Sequence, residues 1–540
     1  MMRLTLIVAA SILTACSVPV TQPEQAEAPD PSSISGDANY PVALLASDEM
    51  IAAQVAEQAL EPEIPPDVWQ RIREGFSIAD TDHPRLQREL DWYARHPDYM
   101  QRVAERASPY MYYVIDTIEE NNLPNELALL PIVESAFQPF AYSHGRAAGI
   151  WQFIPSTGRR FGLEQNWWYD GRRDVYAATQ AAVALLESLN REFDGDWLLA
   201  LAAYNSGSGT VKRAIRRNQQ RGKPTDFWSL DLPPETRAYV PKLLALKKLV
   251  ADPAAYELEL EPIPNEPYFA RIELDSQIDL ARAAELAEIS LDELYRLNPG
   301  YNRWATAPDG PHHLLIPLEN VDTFDANLET LPPEQRIRWI RHQIRPGDTL
   351  STIALKYNTS ISTIKKVNGI RGSYLRAGHS LTIPVASESA ASYRLSESQR
   401  IKSLQNTPRK GVKVVHIVQP GDTFWDLAQL HKVNVRALAK WNGMAPRDPL
   451  TPGQKLVIWS RNGAETSSLE AVVLSSLPQQ RNITKRIGYK VRPGDSLDKI
   501  SRKFRVSVAQ LRRWNDLPKG KYLQPGQRLT VYVDVTRQSS

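Results

Sequence analysis

The 540-residue chain has one cysteine, nine histidines and no HExxH or His-x-His cluster. A single cysteine excludes an intramolecular disulfide and a cysteine-rich metal site. No metal and no cofactor are expected. Long apolar runs are also missing. The stretch from Leu4 to Leu13 falls short of the ~20 residues that a membrane span needs. Basic charge is absent from Ser17 to Pro66, although the whole chain carries a net +2. That net charge is too small to favour any class of partner. The length fits roughly three or four domains.

What the first residues do contain is ordered. Arg3, the apolar run and then Thr14-Ala15-Cys16 form a charged n-region, a short h-region and a small-residue cleavage site. Leu13-Thr14-Ala15-Cys16 resembles the bacterial lipoprotein signal. That resemblance implies cleavage of residues 1–15, lipidation of Cys16 and a protein anchored to the membrane without spanning it. Ser17 follows the cysteine where an Asp would favour inner-membrane retention. The expectation is therefore a Gram-negative outer-membrane lipoprotein facing the periplasm. The plainer alternative is an ordinary signal peptide with an incidental Cys. Residues 16–66 are rich in Pro, Ala, Glu and Ser and are expected to act as a tether.

Residues 67–255 read as a mostly helical domain. "LDWYARHPDYMQRVAERASPYMYYVIDTIEENN" carries apolar residues at helical spacing. In "LPNELALLPIVESAF", Leu127, Leu130 and Glu134 share one face, and Pro131 is expected to kink the helix. Asp174 is placed to cap "VYAATQAAVALLESLN". "WLLALAAYNSG" is a buried helix stopped by Gly207.

Beyond about Glu334 a repeat appears three times, at 342–385, 414–459 and 487–533. Registered on Asp348, Asp422 and Asp495, apolar residues recur two, five, thirteen, sixteen and nineteen positions later. Asn368, Asn442 and Asn515 all fall at offset twenty, and each unit ends in a short strand. These units resemble LysM modules, βααβ domains that bind N-acetylglucosamine-containing glycans. The resemblance implies a groove walled by Gly347-Asp348-Thr349, Gly421-Asp422-Thr423 and Gly494-Asp495-Ser496. Its other wall lies between the second helix and the second strand. The Asp is also expected to cap its helix. The linkers 386–413 and 460–484 are polar and Ser-rich, so the modules are expected to move semi-independently. The third module is strongly basic, read either as affinity for an anionic cell-wall polymer or as a solvated surface. No nucleic-acid partner is expected behind a lipoprotein signal.

A fourth, degenerate unit fits 266–320. With Ile278 placed where Asp348 stands, Leu280, Ala283, Leu291, Leu294, Leu297 and Asn298 take the same offsets. It lacks Pro-Gly-Asp. It is expected to dock on the helical domain as a spacer without binding sugar; the alternative is an irregular helical linker.

The helical domain carries the chemistry. Glu134-Ser135, Gly149-Ile150-Trp151-Gln152, Ala203-Tyr204-Asn205 and "ETRAYV" with Tyr239 follow one another. In this order and spacing they resemble the E-S, G-x-x-Q, A-Y-N and late-Tyr motifs of the goose-lysozyme-like soluble lytic transglycosylases, from about Leu123 to Leu246. Position 151 often carries Met in relatives, and the bulkier Trp is expected to alter sugar contacts. The expected fold is multidomain α+β, a lysozyme-like helical domain followed by βααβ modules. The resemblance implies cleavage of the β-1,4 bond between N-acetylmuramic acid and N-acetylglucosamine in peptidoglycan, with 1,6-anhydromuramic ends. Glu134 would be the acid and then the base, oriented by Tyr239. Ser135, Ser143, Gln152, Tyr204 and Asn205 would serve the substrate. A sheltered carboxyl is favoured in its neutral form, as a general acid requires. Sugar hydrolysis ordinarily uses a second carboxylate. Glu164, Asp170, Asp174, Asp194, Asp196 and Glu235 are the candidates for it. A hydrolytic muramidase and a non-catalytic cell-wall tether are the rival functions.

Overall fold

The computed structural model describes residues 67–460 and 484–534, apart from 505, 507, 516 and 518–522. The signal segment, Cys16, the 16–66 tether and nearly all of the 460–484 linker lie outside the described residues. Among the described residues, no helix is long and apolar enough to cross a membrane.

The helical domain is built around two long helices, Pro97–Glu120 and Pro234–Ala251. Met100, Val103, Ala104, Ala107, Met111, Val114, Ile115 and Ile118 form the buried stripe of the first, at the spacing its sequence shows. Each fully buried Val, Ile or Met of this stripe contributes about 1.5–3 kcal/mol, and each Ala less. The second packs on helix Pro84–Ala94 and on the short helices Leu130–Ser135 and Trp197–Ser206. Helix Trp197–Ser206 buries every residue from Leu199 to Ala203, which explains its apolar, Ala-rich composition. Gly207, at φ 81°, ends that helix and opens Ser208–Gln219.

Pro131 does not kink a continuous helix as expected. Residues Asn125–Leu129 form a 3-10 turn, and Pro131 sits in the first turn of the new helix Leu130–Ser135. Its missing N–H costs nothing there.

Four βααβ units follow, each with one antiparallel strand pair. Phe269–Glu273 pairs with His313–Pro317, Arg338–Gln343 with Ser380–Val385, Val412–Ile417 with Lys455–Ser460, and Thr484–Lys490 with Arg528–Asp534. The recurring Asn is explained in all four. Asn442 Nδ2 donates to Leu438 O at 2.8 Å and Val457 O at 2.9 Å, and its Oδ1 accepts from Val457 N at 2.7 Å. Asn298, Asn368 and Asn515 do the same between their own helix and strand. One amide thus welds the second helix to the closing strand. An Asp could not replace it, because a carboxylate has no donor.

The Gly-Asp-Thr motif divides its labour differently from expectation. The Asp does not cap the helix. Asp348 accepts from Arg345 N and His342 Nε2, Asp422 from Gln419 N and His416 Nε2, and Asp495 from Arg492 N and Tyr489 Oη. Each closes the turn against the first strand. The helix caps are Thr349, Thr423 and Ser496, one residue later. Gly347, Gly421 and Gly494 all take φ near 90°, where a side chain would be strained.

The first unit is bolted to the helical domain. Asp174 caps helix Val175–Glu192 at Ala177 N, accepts from Tyr169 Oη at 2.8 Å and pairs with His313 Nε2 at 2.7 Å. Arg173 Nη1 donates to Asn302 Oδ1 at 2.7 Å, and Asp170 N to Gly300 O at 2.8 Å. The unit's core continues past its closing strand. Phe324 of helix Val321–Thr330, Ile337 and Tyr393 are all buried in it.

The linker 386–413 is ordered, so the first two modules are not the semi-independent bodies expected. Tyr393 Oη donates to buried Asp279, and Ser387 N does so too. Asp279 is the helix cap of the degenerate unit, at the register of Thr349. The chain's own linker therefore lies across the loop that would wall a sugar groove in a complete module. Helix Glu397–Asn406 follows, tied to the spacer by an Arg303–Glu397 pair at 2.9 Å. Composition did not reveal this, because the apolar anchors are few and spaced among serines.

Candidate active site

Glu134 is the fifth residue of the six-residue helix Leu130–Ser135. The helix ends at Ala136 and Phe137, both at positive φ, so the chain turns away directly after the carboxylate. Glu134 is part-buried. Desolvation pushes its carboxyl up to about 7. The Tyr239 hydrogen bond opposes that rise and the charge of Glu235 adds to it. Tyr239 Oη donates to Glu134 Oε1 at 2.7 Å. Burial, and then the Glu134 charge, hold the Tyr239 phenol well above its ordinary value, so it stays a donor.

The other motif residues surround this pair and are partly committed to the protein. Ser135 Oγ lies 3.0 Å from Ile150 O and 3.2 Å from Pro131 O, tying helix Leu130–Ser135 to the Gly149–Phe153 turn. That turn needs its glycine: Gly149 sits at φ 80°, and a Cβ there would meet Arg172 O at 1.9 Å. Gln152, also at positive φ, donates from Nε2 to Gly149 O at 2.8 Å. Tyr204 Oη donates to Trp151 O at 2.9 Å. Its phenol is raised by burial and then by the charge of Glu134. Asn205 Oδ1 accepts from Thr236 Oγ1 at 2.8 Å, which fixes the amide's orientation. Ser143 Oγ accepts from Ala147 N at 3.0 Å within the loop that joins Glu134 to Gly149.

Trp151 does not reach the cleft, contrary to expectation. Its indole is fully buried and donates to Thr179 Oγ1 at 2.9 Å, so the extra bulk over Met fills the core.

The candidates for a second carboxylate separate cleanly. Asp170 pairs with Arg172 at 2.7 Å, Asp174 belongs to the bolt with His313, Asp196 caps helix Trp197–Ser206, and Glu164 and Asp194 are exposed. Glu235, one helical turn before Tyr239 on the same helix, is the candidate whose charge raises the Glu134 carboxyl. It is exposed, so it can share a solvent-facing charge but is not itself sheltered. Thr236, between Glu235 and Tyr239 in "ETRAYV", was missed as a site residue. Its signal was its place in the motif.

Among the described residues, no cluster of His, Cys, Asp or Glu could hold a metal ion.

Comparison with known proteins agrees with this geometry. The Transglycosylase SLT domain model matches residues 113–227, and Tyr239 lies beyond that stretch. The model of the lytic transglycosylase MltD LysM-like domain matches 268–333, the spacer. The LysM domain model matches 342–384, 416–459 and 489–531. The chain is 37% identical to membrane-bound lytic murein transglycosylase D of Escherichia coli (strain K12) over 410 residues, 73% of this chain and 86% of that protein. It is 44% identical over 138 residues to a putative tributyltin chloride resistance protein of Alteromonas sp. (strain M-1), 25% of this chain and 67% of that one. It is also 29% identical over 190 residues to an autolysin of Enterococcus faecalis, 35% of this chain and 24% of that one. With a catalytic domain, a spacer and three LysM modules matched in one order, the chain belongs to the lytic murein transglycosylase D family and is a peptidoglycan lytic transglycosylase.

Proposed function

We propose that Glu134 performs both proton transfers of the cleavage, first as acid and then as base. The observation that carries this is a carboxyl raised to about 7 by burial, with Tyr239 at 2.7 Å holding one oxygen. At neutral pH such a group is poised between its two forms, as a residue that must be both requires. Glu134 gives its proton to the glycosidic oxygen as the bond from C1 of muramic acid to that oxygen breaks. The 6-hydroxyl of the same sugar then bonds to C1, and its proton returns to Glu134. The bonds and protons balance without water, and the nucleophile is already tied to the electrophile, which gives a high effective molarity.

Tyr239 orients Glu134, and Ser135 positions the catalytic helix. Gln152, Tyr204 and Asn205 line the cleft and meet N-acetyl and hydroxyl groups. Supporting this, Gln152 keeps its carbonyl and Asn205 its amide nitrogen clear of the hydrogen bonds described above. Ser143 meets the N-acetyl group in this reading. The Gly-Asp-Thr and Gly-Asp-Ser loops of the three LysM modules bind the glycan, and the degenerate spacer, whose corresponding loop meets the linker, does not. Domain limits at 67–255, 266–320, 342–385, 414–459 and 487–533 belong to the same reading.

Cys16 carries the lipid in this proposal, residues 1–15 are removed, and the enzyme is held on the outer membrane facing the periplasm. The Arg3 to Cys16 pattern supports it, as does a relative described as membrane-bound. The test of the catalytic assignment is Glu134→Gln. It should abolish digestion of sacculi and leave sacculus binding unchanged. Substantial remaining turnover would move the acid elsewhere.

A further inference from the structure

The second LysM module is joined to the rim of the cleft through one carboxylate. Tyr142 Oη donates to Asp448 Oδ2 at 3.0 Å and lies 3.1 Å from Oδ1. Arg146 Nε pairs with Asp448 Oδ1 at 2.7 Å. Asp448 Oδ2 also accepts from Ala445 N at 2.8 Å, which fixes it within its own loop. The Asp448 side chain keeps only 11% of its exposure, whereas Arg146 keeps 42%, so the carboxylate is sheltered and the guanidinium remains open to solvent screening.

Both partners lie in places that matter. Asp448 belongs to the segment between helix Val435–Trp441 and strand Lys455–Ser460, the second wall of a LysM groove. Tyr142 and Arg146 flank Ser143 in the loop that leads from Glu134 to Gly149. That loop is closed by Ser143 N to Ala147 O and by Gly149 N to Ala141 O. A groove wall and a cleft rim are thus one hydrogen-bonded unit.

The module is also gripped from behind. Gln405 Nε2, on helix Glu397–Asn406, donates to Asn442 Oδ1 at 2.9 Å and to Lys455 O at 3.2 Å. Ile401 and Leu404 of that helix lie against Gly443. Arg400 stacks over Phe140 at 4.2 Å, beside the same rim. The segment from Asn442 to Lys455 therefore has the linker helix on one side and the active-site loop on the other.

We propose that the second module and the Tyr142–Arg146 loop form one composite glycan-binding surface, which presents a long peptidoglycan strand to Glu134 at a fixed offset. This rests on the reading of the cleft as the site of glycan cleavage. The contact engages the Tyr142–Arg146 loop, while the hydrogen bonds described for Gln152, Tyr204 and Asn205 stay within the catalytic domain. A strand held by a fixed module reaches the cleft at a higher local concentration than one held on a slack tether. A fragment shorter than the cleft gains nothing from the module.

The test compares full-length wild type, Asp448→Arg and the charge swap Asp448→Arg with Arg146→Glu. Each is assayed on sacculi and on a purified two-disaccharide peptidoglycan fragment. Asp448→Arg, a change on the module and outside the catalytic domain, should slow sacculus digestion by roughly 5- to 10-fold, and turnover of the short fragment should stay within about 2-fold of wild type. The swap should recover at least about half of the loss on sacculi. The fragment assay reports the cleft alone, so its retention in Asp448→Arg shows a folded, working site and confines the effect to the composite surface. Unchanged sacculus digestion, an equal fall on both substrates, or faster turnover of the fragment would each overturn the proposal. The last would mean that the contact closes the cleft.

Discussion

Tyr239 and Glu134 lie 105 residues apart in the chain and 2.7 Å apart in the fold. The helix Pro234–Ala251 that carries Tyr239 also carries Glu235, one turn earlier. These two residues act on the acid in opposite senses. The tyrosine stabilises its carboxylate, and the glutamate destabilises it.

Tyr239→Phe should therefore raise the Glu134 pKa above about 7. A general acid works while protonated, so activity falls as pH rises through that value. In the variant the alkaline limb of kcat/KM should move to higher pH. Its maximum should drop by up to about 100-fold through lost orientation. A limb that stays in place would separate the hydrogen bond from the acid's ionisation.

Glu235→Gln should move the same limb the other way. Removing a nearby negative charge eases ionisation of Glu134, so activity is lost at a lower pH than in wild type. Because the side chain is exposed, the shift should shrink in high salt. A rise of the limb would contradict this electrostatic reading.

Gly149→Ala should damage stability and catalysis together. The residue is left-handed, and its new Cβ would meet the Arg172 carbonyl. The backbone conformation alone costs about 1–2 kcal/mol, and the clash adds to it. Ile150 O, the partner of Ser135, lies one residue on. Thermal unfolding and sacculus digestion should both show the loss. A variant as stable as wild type would mean that the turn can relax.

Asp174→Ala should loosen the spacer at a cost of roughly 1–3 kcal/mol, because it leaves buried His313 and Tyr169 without the carboxylate that they bond. Burial raises the Asp174 carboxyl, but the His313 pair, the Ala177 N–H and Tyr169 outweigh it and hold the group below the usual carboxylate range. Its contribution is therefore present above the unfolded value of about 3.9 and is lost as pH falls through the folded one. The difference in unfolding temperature between wild type and variant should be large at neutral pH and shrink under acid. A difference independent of pH would assign the effect to the cap and packing alone.

A chain ending at Glu334 should unfold at a lower temperature than one ending at Asn406. Ile337 and Tyr393 complete the spacer core, and Tyr393 also bonds Asp279. Equal stability would show that the linker is dispensable.

Much of this architecture was legible from residue offsets. Asn298 sits at offset twenty from Ile278, and the reason is chemical: only an amide at that point can bond the helix carbonyl, the strand carbonyl and the strand N–H together. The order of the motifs pointed to Glu134 and Tyr239 as neighbours, and the fold brings them together. What could not be read depended on contacts across the chain. The division of work between Asp348 and Thr349 turns on His342, a residue of the first strand. The ordered linker turns on Tyr393 meeting Asp279, 114 residues earlier. Trp151 was assigned to the cleft because its neighbours are there, although Thr179 draws it into the core.

The end group left on the cleaved glycan tests the central claim most directly. Sacculi digested with the full-length enzyme should give muropeptides whose muramic acid ends are one water lighter than reducing ends, with no incorporation of oxygen from labelled water. Reducing ends carrying that label would contradict the account. They would mean that Glu134 activates water and not the sugar's own hydroxyl.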